Sequence, residues 1–401
     1  MSARAEARQS ADIHPMPEFK IVQPLETKVM SRAERTVTEL FAEADIAING
    51  ERPCDIRVNN PKFFQRVLAD GTLGFGEAYM EGWWDCDDLE ELCFRAIRNR
   101  LEYKVRPSAR ALVDVAFAIL LNLQTKSRAR IVGKRHYDLG NDFFGAMLDP
   151  SMQYSCGYFN GTTDLATAQQ MKMELICKKL ALQPGMRLLD IGCGWGGLAR
   201  FAAENHGCEV VGITISEEQK EYAVAYNAGL PVEIRLQDYR DVTGQFDAIA
   251  SVGMFEHVGP KNYRRYMEVA KRCLKDDGLF LCHTITGNEP GRTCDRWISR
   301  YIFANSALPS AAQVLQAAEG LFVEEDMHNL GPYYVPTLRA WEAGFMRSRD
   351  EFRLQYGEDF VRMWRLYLLS CSGAFRARSL QVFQFLFSSD GVNGPRPIRI
   401  N

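Results

Sequence analysis

A glycine-rich segment constrains the fold of this 401-residue chain more than any other feature. Residues 190–197 read Asp-Ile-Gly-Cys-Gly-Trp-Gly-Gly; they follow an apolar strand pattern and open a helical one. Glycines let the backbone approach a ligand closely, and the helix start behind them offers free N–H groups. The spacing matches G-x-G-x-x-G, but the next strand ends in Gly212, Thr214 and Ser216, without the acid of a dinucleotide site. A nicotinamide cofactor is therefore the weaker interpretation, and a tight turn without a ligand stays open.

Strand and helix patterns alternate from Met186 onward, which predicts a parallel α/β sheet. The candidate strands are residues 187–191, 209–214, 232–236, 246–252, 279–285, 321–325 and 379–387. Helical patterns cover residues 197–204, 217–226 and 359–376. An insertion between the fifth and sixth candidate strands is rich in large apolar residues, among them Trp297, Tyr301 and Phe303.

The part of the chain before this sheet is less regular. Residues 1–24 are polar and aperiodic, which predicts a disordered tail. Residues 25–120 predict a smaller α+β domain, with an amphipathic helix at 34–44, a short strand at 54–60 and glycine-punctuated turns at 70–84. A basic linker at 121–138 then leads into the α/β domain, residues 139–401.

Charge is distributed unevenly along the chain. The net charge of −3 predicts no nucleic-acid partner. Residues 95–135, however, hold eleven Lys and Arg against Glu102 and Asp114, a local net charge of +9. The apolar stretch 111–123 lies inside this basic segment. Two interpretations stay open: an interdomain helix with solvated flanks, and an interfacial helix that faces anionic lipid.

Several function classes are disfavoured. The eleven cysteines include no C-x-x-C pair, which argues against a disulfide framework and a metal site, so no metal is expected. The N-terminus lacks the apolar core of a signal peptide, and no apolar run is long enough to span a membrane. We therefore expect a soluble, cytoplasmic protein.

Polar residues follow two more strand ends. Asp238 and Tyr239 follow the third candidate strand and offer a carboxylate and a ring suited to a purine. Glu256 and His257 follow the fourth, and His257, as the next residue on a strand end, is expected to point elsewhere. Ligands of open α/β sheets bind beyond the carboxyl ends of the strands, so we expect one shared crevice.

Longer runs of sequence resemble the cyclopropane-fatty-acyl-phospholipid synthases, a branch of the S-adenosylmethionine-dependent methyltransferases. The runs are LLDIGCGWGGLA, GITIS with Gln219, LQDYRD, SVGMFEHVGPKNY and HTI. The resemblance extends upstream through MQYSCGYF, IVGKRHYDLGNDFF, GEAYMEGWW and DIRVNNPKFFQRVL, and downstream to GAFRAR. It implies a class I methyltransferase fold: a Rossmann-like seven-stranded sheet with the last strand antiparallel, and a smaller N-terminal α+β domain associated with lipid. The related mycolic-acid synthases lack that N-terminal domain, which favours the phospholipid branch.

The resemblance also implies a reaction. A methylene group passes from S-adenosylmethionine to the cis double bond of an unsaturated phospholipid acyl chain and forms a cyclopropane fatty acid. The implied partners are the phospholipid in a bilayer, the anionic inner face of the membrane and a second copy of the chain in a homodimer. A lipid C-methyltransferase that gives methyl- or methylene-branched chains is the alternative. A lipid-binding protein without catalysis is a further rival, disfavoured by the complete set of site residues.

Site residues carry over by matching motifs. The family places a bicarbonate ion as the general base, held by the backbone of Cys156, by Glu256 and His283, by the backbone of Ile285 and by Tyr334, for which Tyr333 is the competing choice. Cys371 matches a cysteine proposed as catalytic in the family, although its apolar neighbours favour a structural thiol. The implied cofactor contacts are Tyr154, Ser155, Gly192, Gly194, Trp195, Gly196, Thr214, Ile215, Ser216, Gln219, Asp238 and Tyr239.

Overall fold

The computed structural model describes residues 30–104, 139–291, 294–303 and 306–392. The expected tail at 1–24, the linker at 121–138 and the apolar stretch 111–123 lie outside these residues. The N-terminal unit consists of α1 (Arg32–Ala42), β1 (Arg57–Val58), α2 (Lys62–Asp70), α3 (Thr72–Met80), β2 (Trp84–Asp85), α4 (Leu89–Arg98) and a 3-10 turn (Leu101–Tyr103). The strands β1 and β2 pair antiparallel.

A seven-stranded sheet forms the centre of the described part of the chain. Its strands are β3 (Arg187–Ile191), β4 (Glu209–Thr214), β5 (Val232–Leu236), β6 (Phe246–Val252), β7 (Leu274–Gly287), β8 (Val323–Asn329) and β9 (Leu380–Ser388). Their order is β5-β4-β3-β6-β7-β9-β8. The first five pair in parallel, whereas β9 runs antiparallel to both of its neighbours. The expected fold class, with its antiparallel last strand, is confirmed.

Helices cover both faces of this sheet and join it to the N-terminal unit. They are α5 (Asn141–Met147), α6 (Leu165–Lys179), α7 (Gly197–His206), α8 (Glu217–Tyr226), α9 (Tyr263–Cys273), α10 (Arg296–Tyr301), α11 (Ala311–Ala318), α12 (Gly331–Arg347), α13 (Arg349–Tyr356) and α14 (Glu358–Arg376). None of the helices in the described ranges combines the length and the apolar character that a membrane span requires.

The central strands form where the sequence has short, continuous apolar runs. In β3 every residue from Leu188 to Ile191 is buried, because helices cover both faces of the sheet. The helices start at local signals, as when the Ser216 hydroxyl accepts a hydrogen bond from the Gln219 N–H and caps α8. The four strands β3 to β6 consequently have the bounds that the sequence predicts.

One expectation about the N-terminal unit is wrong. The sequence predicts turns at residues 70–84, but the structure has the helix α3 there. Gly74 and Gly76 lie inside this helix, where a Cβ on Gly74 would collide with the Arg66 carbonyl and one on Gly76 with the Trp297 ring. Both glycines allow close packing between helices and do not mark a turn. A local sequence pattern cannot distinguish these two roles of glycine.

The N-terminal unit packs against α14 of the large domain. The Arg362 guanidinium lies 3.9 Å from the centre of the Tyr79 ring, and it donates a hydrogen bond of 2.8 Å to the Trp84 carbonyl. A Cβ on Gly373 would sit 2.8 Å from the Phe94 backbone nitrogen, so α4 and α14 approach backbone to backbone. Apolar side chains from both parts therefore form one continuous core.

Candidate active site

The glycine loop lies between β3 and α7 at the carboxyl edge of the sheet. Gly192, Gly194 and Gly196 all have positive φ angles, of 83°, 55° and 83°. A Cβ on Gly196 would sit 2.5 Å from Asn227 Nδ2, whereas one on Gly194 would meet nothing within 4 Å. Gly196 is thus required by packing, and Gly194 faces space that a ligand can fill.

The end of β4 presents a small polar network beside this loop. The Thr214 hydroxyl donates to Gln219 Oε1 at 2.8 Å, and it accepts from the Ser216 N–H at 3.2 Å. Ile215 stays 38% exposed among these buried polar groups and offers an apolar surface. Hydroxyl and amide groups take the place of the acid expected in a dinucleotide site, and they suit the hydroxyls of a ribose.

Asp238 and Tyr239 stand at the end of β5, as the sequence predicts. The Asp238 carboxylate accepts two hydrogen bonds of 2.7 Å from the Arg240 side chain. A purine amino group would therefore share this carboxylate with a guanidinium. Tyr239 is buried, with its ring 5.0 Å from that of Tyr266.

Two buried charges lie beneath the loop. Asp190 Oδ2 has no hydrogen-bond partner in the described part of the chain, and burial raises the pKa of Asp190 to about 7. The Lys172 ammonium donates to Gln153 Oε1 at 2.6 Å and to the Ser155 hydroxyl at 2.8 Å, and burial lowers the pKa of Lys172 to about 8. The lysine fixes the segment that carries Tyr154 and Ser155. A buried acceptor without a partner, beneath the glycine loop, fits a cofactor that brings donors of its own.

Glu256 and His283 form a second polar cluster. Glu256 Oε1 accepts from the Ile285 N–H at 2.6 Å, while Oε2 has no partner among the described residues, and burial raises the pKa of Glu256 to about 7. Burial lowers the pKa of His283 to about 3, so its imidazole is neutral at physiological pH. The Gln384 amide nitrogen lies 3.3 Å from His283 Nδ1, across the β7–β9 pair.

Tyr334 completes this cluster from the first turn of α12. Its side chain is buried, with the ring 4.6 Å from Phe375 and 5.9 Å from Trp341. Burial holds the pKa of Tyr334 well above its usual value, so the phenol stays protonated. Tyr334 lines the site cavity and Tyr333 does not, which supports the choice made from the sequence.

A cavity of about 1090 Å³ connects Tyr154 and Ser155 with the cluster of Glu256, His283 and Tyr334, whereas the glycine loop and the polar residues that follow β4 and β5 do not line it. The sequence-predicted residues on its wall are Tyr154, Ser155, Glu256, His283, Ile285, Tyr334 and Cys371. Cys156 lies behind the wall, fully buried, with its thiol directed at the Leu330 carbonyl. Burial raises the pKa of Cys371 far above the usual value for a thiol, so Cys371 stays protonated and is a poor nucleophile.

Sequence reasoning set His257 aside and did not single out Gln384. His257 lines the cavity, because residues 255–257 form a 3-10 turn and neighbours there do not alternate sides as in a strand. The expectation that His257 points elsewhere is wrong. Gln384 is fully buried inside the apolar run of β9. An amide side chain inside such an apolar strand, as at Gln381 and Gln384, was the available signal for a polar role.

The sheet order, and the glycine loop at its centre, define the class of this protein: it is a class I methyltransferase, an enzyme that uses S-adenosylmethionine. The family model described as Mycolic acid cyclopropane synthetase matches residues 124–385. The chain belongs to this family, and the resemblance seen in its motifs is confirmed.

Relatives and solved structures agree with this assignment. The chain is 52% identical over 365 residues to the Cyclopropane-fatty-acyl-phospholipid synthase of Escherichia coli (strain K12), a match that covers 91% of this chain and 96% of that protein. It is 34% identical over 349 residues to the Tuberculostearic acid methyltransferase UfaA1 of Mycobacterium tuberculosis (strain ATCC 25618 / H37Rv), which covers 82% and 81%. The crystal structure of mycolic acid cyclopropane synthase CmaA1 complexed with SAH and CTAB matches with a TM-score of 0.61 and 33% identity, covering 64% of this chain and 97% of that one.

Proposed function

We propose that this enzyme transfers a methylene group from S-adenosylmethionine to the cis double bond of an unsaturated phospholipid acyl chain and forms a cyclopropane ring. The observation that carries the proposal is the course of the cavity. It begins beside Tyr154 and Ser155, two of the expected cofactor contacts, passes the cluster of Glu256 and His283, and continues to the N-terminal unit. The walls contributed by that unit include Leu40, Phe41, Val67, Phe75, Leu92 and Leu101. A long apolar chain, reacting in its middle, fits this shape.

S-adenosylmethionine supplies an electrophilic methyl group when it is bound. The chain needs no nucleophile of its own, and its residues have three tasks: to hold the alkene dry, to stabilise a cation on the lipid and to remove a proton. Aromatic faces at the cavity wall, from Tyr154, Phe303 and Tyr367, suit the second task, because a ring face attracts a cation.

For the third task we propose bicarbonate as the general base, held by Glu256, His283 and Tyr334. These groups fit an oxyanion because each can donate a hydrogen bond. Protonated Glu256 donates from its orphaned Oε2, and Tyr334 donates its phenol. Neutral His283 donates from Nε2 when Nδ1 accepts from Gln384. Ionised Glu256 would instead repel the anion.

The backbones of Ile285 and Cys156, which the resemblance assigns to the bicarbonate site, have different hydrogen-bonding surroundings. The Ile285 N–H donates to Glu256, so in this arrangement it positions the carboxyl group and does not face a ligand itself. Cys156 precedes Gly157, whose N–H is fixed by Thr337 Oγ1 at 3.0 Å. We propose that Cys156 contributes through this fixed backbone segment and that its thiol has no chemical role.

Product analysis tests the function. The purified enzyme, S-adenosylmethionine and vesicles of dioleoyl phosphatidylglycerol should give lipid heavier by one CH₂ per modified chain. Proton NMR should show ring methylene protons in place of alkene protons. Exhaustive removal of dissolved CO₂ should slow the reaction, and added bicarbonate should restore it. Failure of added bicarbonate to act on the depleted enzyme would exclude it as the base.

The lipid C-methyltransferase stays the second candidate, because the chain is also 34% identical to the Tuberculostearic acid methyltransferase UfaA1. A methylene-branched product has the same mass as the cyclopropane product, so mass alone does not separate these two; a saturated methyl-branched product requires an added two-electron reductant and is heavier by two hydrogens. The NMR spectrum separates the candidates, since a branched product shows a methyl or an exocyclic methylene group and no ring protons.

We extend the proposal to the whole molecule. Residues 25–120 form the lipid-associated domain, residues 121–138 the basic linker and residues 139–401 the catalytic domain. The enzyme associates peripherally with the anionic inner face of the membrane, from the cytoplasm, through the basic segment 95–135, and it acts as a homodimer. Vesicle binding and sedimentation measurements address these two points separately.

A further inference from the structure

The cavity follows strand β7 from the polar cluster to an opening. His283, Ile285 and Gly287 all line it, as expected for alternate residues on one face of a strand. The partner strand keeps register along this stretch, with His283 opposite Gln384 and Gly287 opposite Leu380. At about 3.3 Å per residue, this part of the cavity is about 13 Å long.

Helix α14 runs along the same space and gives a second measure of it. The cavity residues on α14 share one face of the helix: Tyr367, Ser370, Cys371, Ala374 and Phe375. Arg378 follows the end of α14 and also lines the cavity. At 1.5 Å per residue, Tyr367 and Arg378 are about 16 Å apart along this direction. The turn between α14 and β9 thus lies about 13 Å along β7 from His283 and about 16 Å along α14 from Tyr367.

Three arginines line the opening at this turn, together with the carboxylates of Glu102 and Glu289. Arg98 Nη1 donates to the Ala377 carbonyl at 3.2 Å, and Arg100 and Arg378 line the same end of the cavity. All three side chains belong to exposed residues. Neither Arg98 nor Arg378 has a carboxylate partner within the described ranges of the chain. Arg100 lies 4.0 Å from Glu289, and both of these side chains are more than 70% exposed, so this ion pair is weak.

The backbone at two of these arginines is unusual. Arg100, at φ 54°, and Arg378, at φ 61°, are two of six non-glycine residues with positive φ in the described part of the chain. Each directly follows the last cap of a helix, Asn99 for α4 and Ala377 for α14, where glycine is strongly favoured. A long cation held in a glycine conformation indicates that the side chain has a role.

We propose that Arg98, Arg100 and Arg378 bind the phosphate of the lipid whose double bond lies at the polar cluster. This inference rests on the proposed function. Guanidinium groups bind phosphate oxygens through paired, charge-assisted hydrogen bonds. Half of a bilayer's hydrocarbon is about 15 Å thick and its headgroup layer about 5–7 Å, so the phosphate lies about 13–15 Å from the middle of an acyl chain. The cavity has this length, and it therefore selects double bonds near the middle of the chain.

Arg100→Gly and Arg378→Gly test the site without disturbing the fold, because glycine suits the backbone at both positions. Ala181→Gly is the matched control: Ala181 has φ 50° and follows the end of α6, away from the cavity. The assay uses neutral detergent micelles, which remove the effect of membrane surface charge. The substrates are dioleoyl phosphatidylglycerol and dioleoylglycerol, which share their chains and differ in the phosphate.

Each arginine variant should raise KM for the phospholipid about tenfold or more, as expected for a lost charged hydrogen bond, with kcat nearly unchanged. KM for dioleoylglycerol should not change, and Ala181→Gly should match the wild type with both lipids. The double variant should also lose preference between lipids with a double bond at carbon 9 and at carbon 6. Wild-type KM for the phospholipid in the double variant, or an equal loss with dioleoylglycerol, would overturn the proposal.

Two further results distinguish a site for the lipid phosphate from a site for free phosphate, and a failure of this inference from a failure of the proposed function. If millimolar inorganic phosphate restores fast turnover of dioleoylglycerol, the arginines bind a free ion and the lipid assignment is wrong. If the wild-type enzyme adds no carbon to the phospholipid at all, the proposed function fails before the variants are compared. Normal cyclopropanation by the wild type, with arginine variants that behave like the wild type, overturns the headgroup site alone.

Discussion

At the scale of single residues, Glu256 combines two properties that rarely coexist. One oxygen of its carboxyl group is fixed by the Ile285 N–H, while the other is buried without a partner among the described residues. The burial that raises the pKa of Glu256 to about 7 also makes its ionised form costly to the fold. A buried carboxyl group with an unpartnered oxygen is costly, and a purely structural role for Glu256 does not explain that cost.

Glu256→Gln should keep the affinity for S-adenosylhomocysteine, measured by calorimetry, and lower turnover about 10²–10⁴-fold. The substitution should also change how the free energy of unfolding depends on pH. In the wild type the unfolded chain loses the Glu256 proton near pH 4.5 and the folded chain only near pH 7, so stability falls over this interval by about 3 kcal/mol. The variant lacks this loss and should become the more stable protein as the pH rises from 4.5 to 7. Thermal unfolding measured across this pH range gives the difference in stability. The exposed substitution Glu324→Gln serves as the control. Parallel curves of stability against pH for Glu256→Gln and the wild type would contradict the prediction.

Gln384 is the residue that we expect to orient His283. With its amide nitrogen 3.3 Å from Nδ1, the neutral imidazole carries its proton on Nε2 and can donate to an anion. Gln384→Glu offers an acceptor instead and should move the proton to Nδ1. Nitrogen-15 NMR of labelled histidine should report the change of tautomer, and turnover should fall at least about tenfold with cofactor affinity kept. An unchanged His283 spectrum in Gln384→Glu would remove this positioning role.

At the scale of elements, short buried strands are predictable because continuous apolar runs leave few alternatives. The rule that ligands lie beyond the carboxyl ends of parallel strands likewise brings Glu256 and Asp238 to one edge of the sheet. The helix α3 is not predictable in this way, since its glycines make sense only against Arg66 and Trp297. The contact of Gln384 with His283 depends on register between strands about one hundred residues apart, which no local pattern encodes.

The glycine loop supports a prediction at the same scale. Gly194→Val adds a side chain to a position that faces open space, so it should fill the cofactor site while the fold persists. The positive φ of Gly194 adds a cost of roughly 1–2 kcal/mol to the folded state. Calorimetric titration with S-adenosylhomocysteine should show no binding, and circular dichroism should show a folded protein. In contrast, Gly196→Val would collide with Asn227 and should unfold more easily. Unchanged affinity in Gly194→Val would remove the loop from the cofactor site.

At the scale of the whole molecule, the N-terminal unit and the large domain share one core and one cavity. The contacts of α14 with α3 and α4 fix the two parts against each other, and Arg98 of α4 donates a hydrogen bond to the Ala377 carbonyl at the end of α14. Under the proposed function, such an enzyme encloses an acyl chain and must first reach a lipid whose double bond lies within a bilayer.

The charge distribution along the chain predicts how it does so. A net charge of −3 would not attract the protein to an anionic surface, but the local +9 of residues 95–135 would. Each Lys or Arg close to such a surface contributes about 1 kcal/mol, and salt screens the attraction within about 8–10 Å. Replacing Arg128, Arg130, Lys134 and Arg135 by Glu changes the local charge by eight and leaves the three arginines of the cavity opening intact. Binding to vesicles with anionic lipid, and activity on them, should fall together in this variant, whereas activity on phospholipid in neutral micelles and affinity for S-adenosylhomocysteine should stay unchanged. Binding of the wild-type protein to anionic vesicles should weaken as salt is added. If the variant binds these vesicles as the wild type does, the segment 95–135 is a solvated linker, and some other surface brings the enzyme to the membrane.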